Sequence, residues 1–297
     1  MPTIKTIATL YLFLAAFGWA MAGVFIRLLP TFEAYEIVAL RFLFAFVFLS
    51  FFLLFKFNLK IIFIDLKHRI TWIYTFIILS CYYIGTSAFQ LAPVGETTLL
   101  MSIAPLFVIV HKLWINQHTT LKEKRGFLLA IFGIMILFGS NFSNTTYTTS
   151  HIFGNFLALG VAFLFALYAI LHSRKGEYSP SSLSVTYGML LVALLPSLYY
   201  VSSSITLENQ NMLIENLLLF AGLGIFSTAI PTIAITIASK NLPPVISSSV
   251  LLLETIFGTF LAYLVLNETP SWYFLISLCV VLVGLMLMIL KNKMEIS

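Results

Sequence analysis

The chain has 297 residues, of which 60% are hydrophobic and only 9% charged, and its mean hydropathy is +1.03. Soluble domains carry about 25% charged residues, so the composition excludes a soluble enzyme or binding module and leaves a membrane protein. The net charge of +5 does not call for a nucleic-acid partner, because the basic residues sit in short links between apolar runs.

A bilayer core of about 30 Å takes roughly 20 apolar residues per helix. Ten runs qualify as spans: 7–28, 35–55, 71–91, 95–115, 126–141, 153–172, 183–201, 215–238, 245–266 and 271–290. Residues 1–22, with Lys5 and Ala20-Met21-Ala22, also resemble a cleaved signal peptide. Its removal would leave nine spans and break the internal repeat described below. Run one carries Trp19 in mid-span, where an interfacial anchor is unexpected. Run two carries Arg41, about 9 Å from its nearer end. An arginine stays charged, so a structural clamp on carbonyls or headgroups is its expected role.

Run three has a polar stripe, Ser80, Tyr83, Ser87 and Gln90, with Thr86 beside it. Helical spacing puts these on one face that points at protein or water rather than lipid. Interhelical hydrogen bonding is the bland reading and a cavity wall the functional one. Run four opens with Glu96, which the helix dipole favours without any special role. It continues through Ser102, a further cavity candidate, to Ala104-Pro105. In run six Tyr168 and His172 share a face, and Ala162/Ala166 matches Ala16/Ala20 of run one as a pair of small residues allowing close helix approach. Run eight has Thr228, Thr232, Thr236 and Ser239 at helical period, with Pro231 among them. Prolines inside spans free backbone carbonyls, and such breaks are tolerated where they line a cavity. Tyr82 and Tyr187 are further aromatics within spans, for which packing is the default. Run nine carries Glu254 about 14 Å along, near the midplane. A carboxyl at that depth is costly and is a functional candidate by default. Burial favours the neutral acid, as a proton-coupled carrier requires; a neutral glutamate bonded to a neighbouring helix is the bland alternative.

The chain repeats itself. Leu91–Phe107, LAPVGETTLLMSIAPLF, is echoed by Leu242–Phe257, LPPVISSSVLLLETIF, and the runs that follow pair Gly133 with Gly284. Two units result, residues 1–145 and 146–297. Lys5, the Lys56–Arg69 group, the Lys112–Arg125 group, Arg174, Lys175, Lys240, Lys291 and Lys293 all fall on one side of an alternating chain. The opposite links hold Glu33, Glu36, Glu208 and Glu268, with Arg27 as their basic residue. Both termini are therefore expected in the cytoplasm. Five runs per unit is odd, so the second copy enters the membrane from the opposite side, the inverted-repeat plan of secondary transporters. Asn141-Phe-Ser and Asn144-Thr-Thr match the glycosylation pattern, a chance-prone signal that carries no weight.

Several short motifs taken together resemble the drug/metabolite transporter superfamily, and within it the EamA-type ten-span permeases. They are Phe17-Gly18-Trp19-Ala20, Ala39-Leu40-Arg41-Phe42, Pro93 with Ala104-Pro105-Leu106, Leu253-Glu254-Thr255 and Leu266-Asn267-Glu268. Thr255 stands where that family usually has proline, and His118 where the first copy often has an acid. The resemblance implies an all-helical basket of ten spans in two inverted five-helix repeats around a central cavity. Spans 1, 3, 4, 6, 8 and 9 would line it, and 5 and 10 would be peripheral and available for a homodimer. It also implies export of small organic metabolites, such as amino acids or related compounds, across the plasma membrane of a bacterial cell. The cavity set is then Trp19, Tyr83, Ser87, Gln90, Ser102, Tyr168, Thr228, Thr232 and Glu254, with Glu254 coupling protons and Arg41 structural. Import or exchange of a nucleotide, cofactor or sugar conjugate is the alternative on the same scaffold, and a non-transporting scaffold or receptor the alternative of another class.

No hydrolase, metalloprotease or phosphate-loop motif occurs. The five histidines form no ligand pattern and Cys81 and Cys279 lie in apolar runs, so no cofactor, metal or disulfide is expected. The expected partners are a small-molecule substrate and the lipid bilayer. Reporter fusions after Lys293 and within Thr145–Ser150 should land on opposite sides of the membrane; a same-side result would sink the inverted repeat.

Overall fold

The computed structural model describes residues 4–56, 59–143, 148–173, 178–204, 207–239, 241–242 and 252–289. Among these residues the chain is all-helical, with no strand. The first half runs α1 (Ile4–Arg27), α2 (Ala34–Lys56), a short α3 (Leu59–Asp65), α4 (Arg69–Leu91), α5 (Val94–Met101), α6 (Ala104–Trp114) and α7 (Leu121–Ser143). The second runs α8 (Thr149–His172), α9 (Ser182–Ser204), a short α10 (Leu207–Glu215) and α11 (Leu217–Gly224). A π-helical turn at Ile225–Ala229 leads from α11 into α12 (Ile230–Ser239), followed by α13 (Leu253–Leu266) and α14 (Trp272–Ile289).

Eight segments are long and apolar enough to cross a membrane. They include α5 with α6 as one segment and α11 with α12 as another. The remaining two of the ten expected runs fall on α7, which opens with the charged Lys122–Arg125, and on α13, a shorter apolar helix. The start of run nine, residues 245–251, lies outside the described residues, as do Pro243 and Pro244 of the repeated hinge and Asn144 of the glycosylation match.

The proline breaks have local causes. Proline has no N–H, and its ring obstructs the turn before it. Pro105 therefore sits in the first turn of a new helix, and α5 ends at Met101 with Ser102 and Ile103 as the joint. Pro231 follows the π-turn.

Packing follows a regular scheme. α1 lies on α13 and α12, and α8 on α4, α5 and α6. α2 packs on α9 and α11, α4 on α9, and α7 on α14. Glycine permits the last of these contacts. A Cβ on Gly126 would stand 2.5 Å from the Gly284 carbonyl, and one on Gly284 would stand 2.7 Å from the Ala130 nitrogen. The Ser277 hydroxyl donates to Gly133 O at 2.7 Å across this seam. The glycine faces of these two helices are thus used within the chain, leaving large apolar side chains such as Phe132 and Val283 exposed.

Polar contacts tie the two halves at both ends. At one end Arg27 Nε donates to Glu268 Oε1 at 3.2 Å, and Val94 N donates to Glu268 Oε2 at 3.0 Å. There, too, Glu96 pairs with His151 and Asn155 of α8. At the other end the buried Asp65 accepts from the Tyr178 hydroxyl and from Ser181 N at 3.1 Å, while Tyr178 stacks on His68. Burial alone would raise the Asp65 pKa, but hydrogen bonds from Ser184, Tyr178 and Ser181 outweigh it and hold the carboxyl below its usual range. A depressed folded value gives stability that is complete above the unfolded value of about 3.9 and is lost as pH falls through the folded one. Asp65→Asn should lower stability at neutral pH by about 1–3 kcal/mol. The gap to wild type in melting temperature should narrow as pH falls below the unfolded value; a gap of constant size would show that the charge of Asp65 is not its source.

Candidate functional site

Arg41 is the polar centre of the bundle. It is 3% exposed, and its Nε donates to Thr228 Oγ1 at 2.6 Å and its Nη2 to Ser227 O at 2.9 Å. Its guanidinium carbon lies 4.5 Å above the centre of the Tyr82 ring. Pro231 explains the carbonyl contact. An N–H at position 231 would ordinarily bond the carbonyl four residues earlier, which is that of Ser227. Proline cannot supply it, and Arg41 does. Thr228 accepts from Arg41 and donates to Leu223 O at 3.2 Å, across the π-turn.

Two glycines bring helices close enough for this arrangement. A Cβ on Gly224 would lie 2.5 Å from Arg41 O, and one on Gly18 would lie 2.5 Å from Pro231 Cγ and 2.6 Å from Phe226 O. The π-turn is therefore gripped between α1 and α2. Ser227 Oγ is buried and has no hydrogen-bond partner among the described residues.

Glu254 is half-buried in the first described turn of α13 and forms no ion pair among the described residues. Tyr82 lies within electrostatic reach of both Arg41 and Glu254. α13 is wedged against α1 and α5: a Cβ on Gly258 would meet Thr98 and Ala20 O, and Thr255 Oγ1 reaches Thr98 O at 3.5 Å. Thr255, in the position where proline was expected, thus adds a hydroxyl to the helix contact.

The polar stripes mostly bond their own helices. Ser80, Thr86 and Ser87 donate to the carbonyls of Phe76, Tyr82 and Tyr83, and Thr232 and Thr236 to those of Thr228 and Thr232. Ser102 donates to Leu99 O at the α5–α6 joint. Trp19, Tyr83, Ser87 and Ser102 are half-buried, while Thr228 and Thr232 are buried. Gln90 belongs to the Glu268 end, donating to Phe32 O at 2.7 Å while its own carbonyl accepts from Arg27. Tyr168 belongs to the Asp65 end, its ring 4.9 Å from that of Tyr74 and 5.8 Å from His172. The structure therefore brings Thr228 to Arg41, with Thr232 one turn further on and bonded to Thr228 O, and it sends Gln90 and Tyr168 to opposite ends.

Glu96 has more to do than the dipole argument gave it. It is 6% exposed and accepts from Asn155 Nδ2 at 2.9 Å, with His151 Nε2 at 3.1 Å. The missing signal was the spacing of His151 and Asn155, four apart on one face of α8. The carbonyl of Ser227 could have been marked by counting four residues back from Pro231. Asp65 carried no comparable sequence cue.

The family model for the EamA-like transporter family matches residues 6–139 and again 152–290. An uncharacterized transporter of Methanothermobacter thermautotrophicus is 27% identical over 215 residues, which cover 68% of this chain and 60% of that protein. A protein solved by crystallography has a similar fold, with a TM-score of 0.63 over 95% of this chain and 96% of the other at 17% identity.

Removing Arg41 leaves Ser227 O without its donor in the interior, at a cost of about 1–3 kcal/mol. Arg41→Ala should lower the yield of folded protein and the melting temperature before it alters which compounds bind. Arg41→Lys keeps the charge but loses the planar fork, and should recover part of the loss. Wild-type yield together with a switched ligand profile would overturn the structural assignment.

Proposed function

The chain belongs to the EamA-like transporter family, and on that premise we propose that it is a secondary exporter of small organic metabolites, amino acids or related compounds. The multi-pass membrane character and the transporter class come with the family. Substrate class, direction and coupling are our reading. We place it in the cytoplasmic membrane of a bacterial cell with both termini inside, as the distribution of Lys and Arg supports.

The division into inverted repeats of 1–145 and 146–297 draws support from the double family match and from the packing scheme. Shifting each run by five maps the contacts onto themselves. Run one on runs eight and nine becomes run six on runs three and four, and run two on run eight becomes run seven on run three. Runs two and seven pair with each other, as do five and ten. Such a repeat puts a substrate site between the copies, where Trp19, Tyr83, Ser87, Ser102 and Glu254 would contribute half-buried surface and Thr228 and Thr232 the wall around Arg41.

The observation that carries the reading is Glu254. It is a carboxyl inside an apolar bundle, near the charged Arg41–Tyr82 stack yet without an ion pair among the described residues. A carboxylic acid enclosed by apolar helices is carried neutral, and one opened to water ionises. Alternating exposure could then move one proton per cycle in exchange for substrate. A phosphorylated substrate fits less well. Arg41 is the one buried Lys or Arg among the described residues, and its donors already serve Ser227 and Thr228.

Glu254→Gln mimics the protonated acid and nearly keeps its shape. In proteoliposomes it should abolish transport driven by a pH gradient while leaving substrate binding, and exchange at equal pH, largely intact. Gradient dependence equal to wild type would rule out coupling through Glu254 and return it to a structural role.

A further inference from the structure

Arg41 and Glu254 make no direct electrostatic contact with each other, whereas Tyr82 makes one with each. The three arrive on different helices, Arg41 on α2, Tyr82 on α4 and Glu254 on α13. We propose that Tyr82 is a positioning residue that carries the charge state of Glu254 to Arg41, and through Arg41 to the π-turn at Ile225–Ala229. The inference rests on the reading of Glu254 as the group that changes its protonation in the cycle.

Geometry fixes the ring. The guanidinium carbon of Arg41 lies 4.5 Å from its centre, within cation–π range. Phe42, the neighbour of Arg41 on α2, meets it edge-on with centroids 5.2 Å apart. The hydroxyl hydrogen is free to turn, and two acceptors compete for it. Thr228 Oγ1 lies beside the hydroxyl; it accepts from Arg41 on one lone pair and has a second. Glu254 is the other acceptor, and its ionised form outcompetes a neutral hydroxyl. With Glu254 neutral, the hydrogen rests on Thr228. With Glu254 ionised, it turns to the carboxylate, which enriches the ring in electrons and strengthens its hold on the guanidinium. Thr228 loses a donor in the same step. Both changes fall on the group that supplies Ser227 O. On that turn Ser227 Oγ is buried without a partner among the described residues, a polar group that a small movement can satisfy. Competing sources of charge are few. Of the helices packed on α4, which are α1, α2, α5, α8 and α9, α2 alone presents a charged group to Tyr82, and α4 itself adds Cys81. α13 packs on α1 and α5, and neither presents a charge within reach of Glu254 among the described residues.

The test is magnetic resonance on the full chain in nanodiscs, with tyrosine labelled with carbon-13 at Cζ and arginine with nitrogen-15 at Nε. The Tyr82 resonance is identified by its absence from Tyr82→Phe, and that of Arg41 by its absence from Arg41→Lys. Titrated over about pH 4 to 9, both should shift in the wild type with a common midpoint, and both shifts should be lost in Glu254→Gln. Tyr82→Phe keeps the ring over Arg41 and removes the hydroxyl. It should preserve the melting temperature and abolish the Arg41 shift, whereas Cys81→Ser should leave both shifts in place. Stationary wild-type resonances, a shift that survives Glu254→Gln, an undiminished Arg41 shift in Tyr82→Phe, or loss of the shifts in Cys81→Ser would each overturn the proposal. Gradient-driven transport separates its failure from that of the coupling reading. Transport lost in Glu254→Gln beside stationary wild-type resonances keeps the coupling and discards the relay; transport unaffected in Glu254→Gln discards the coupling and the relay with it.

Discussion

The bundle depends on a single exchange of hydrogen bonds. Pro231 deprives Ser227 of its helical donor, and the guanidinium of Arg41, arriving from another helix, replaces it. A charged side chain in an apolar bundle is expensive, and a carbonyl without a donor is expensive in the same setting. Each offsets the cost of the other. Thr228 and the face of Tyr82 take up the rest of the guanidinium, so the charge is spread over a carbonyl, a hydroxyl and a ring and needs no acid beside it. That is why Arg41 and Glu254 can occupy the same interior without neutralising each other.

The contact fixes more than its own atoms. A π-turn carries one residue more per hydrogen-bonded ring than an α-turn, so the segment from Ile225 to Ala229 rotates α12 relative to α11. Gly224 and Gly18 admit the backbone of α2 and the edge of α1 to that segment, and side chains at either position would push the helices apart. The sequence Phe17-Gly18-Trp19-Ala20 and the sequence Ala39-Leu40-Arg41-Phe42 therefore meet the same π-turn, the first at Pro231 and Phe226 O, the second at Ser227 O and Thr228. On the far side of the bundle α7 and α14 rely on the same device, glycine against backbone, with Ser277 bonded to Gly133 O. Glycine carries these crossings because lipid supplies no hydrophobic drive between helices, and close van der Waals approach must do the work.

Much of this was legible in the chain. Apolar runs of the right length gave the helices, because a bilayer leaves no other option. Arg41 was expected to bond carbonyls on depth and chemistry, and its Nη2 donates to Ser227 O. The small residues of α1 read as close-approach points, and Gly18 is one. What stayed hidden was pairing across long sequence separations. Nothing local says that Asp65 will meet Tyr178, or that Glu96 will meet a histidine at the start of α8. Those partners depend on which ends of which helices coincide, a property of the packed bundle. The polar stripes misled in a different way. Helical period put Ser80, Ser87, Thr232 and Thr236 on faces, but a hydroxyl in a helix can satisfy itself on the carbonyl a turn back, so a stripe by itself does not distinguish a cavity wall from a self-contained helix.

The acids divide into two kinds, and the division bears on mechanism. Asp65, Glu96 and Glu268 lie at helix ends and accept from fixed donors belonging to the other half of the chain; Glu123 does the same locally, with Lys112 and Thr120. The contacts of Asp65, Glu96 and Glu268 hold the two halves together at their rims. Glu254 has no such set among the described residues, and its ionisation must follow whatever surrounds it. If the halves rock against each other, as alternating access requires, the rim contacts at one end must loosen while those at the other persist. In the proton-coupled cycle proposed above, the clamped acids at both rims would resist the motion and Glu254 between them would carry the changing charge.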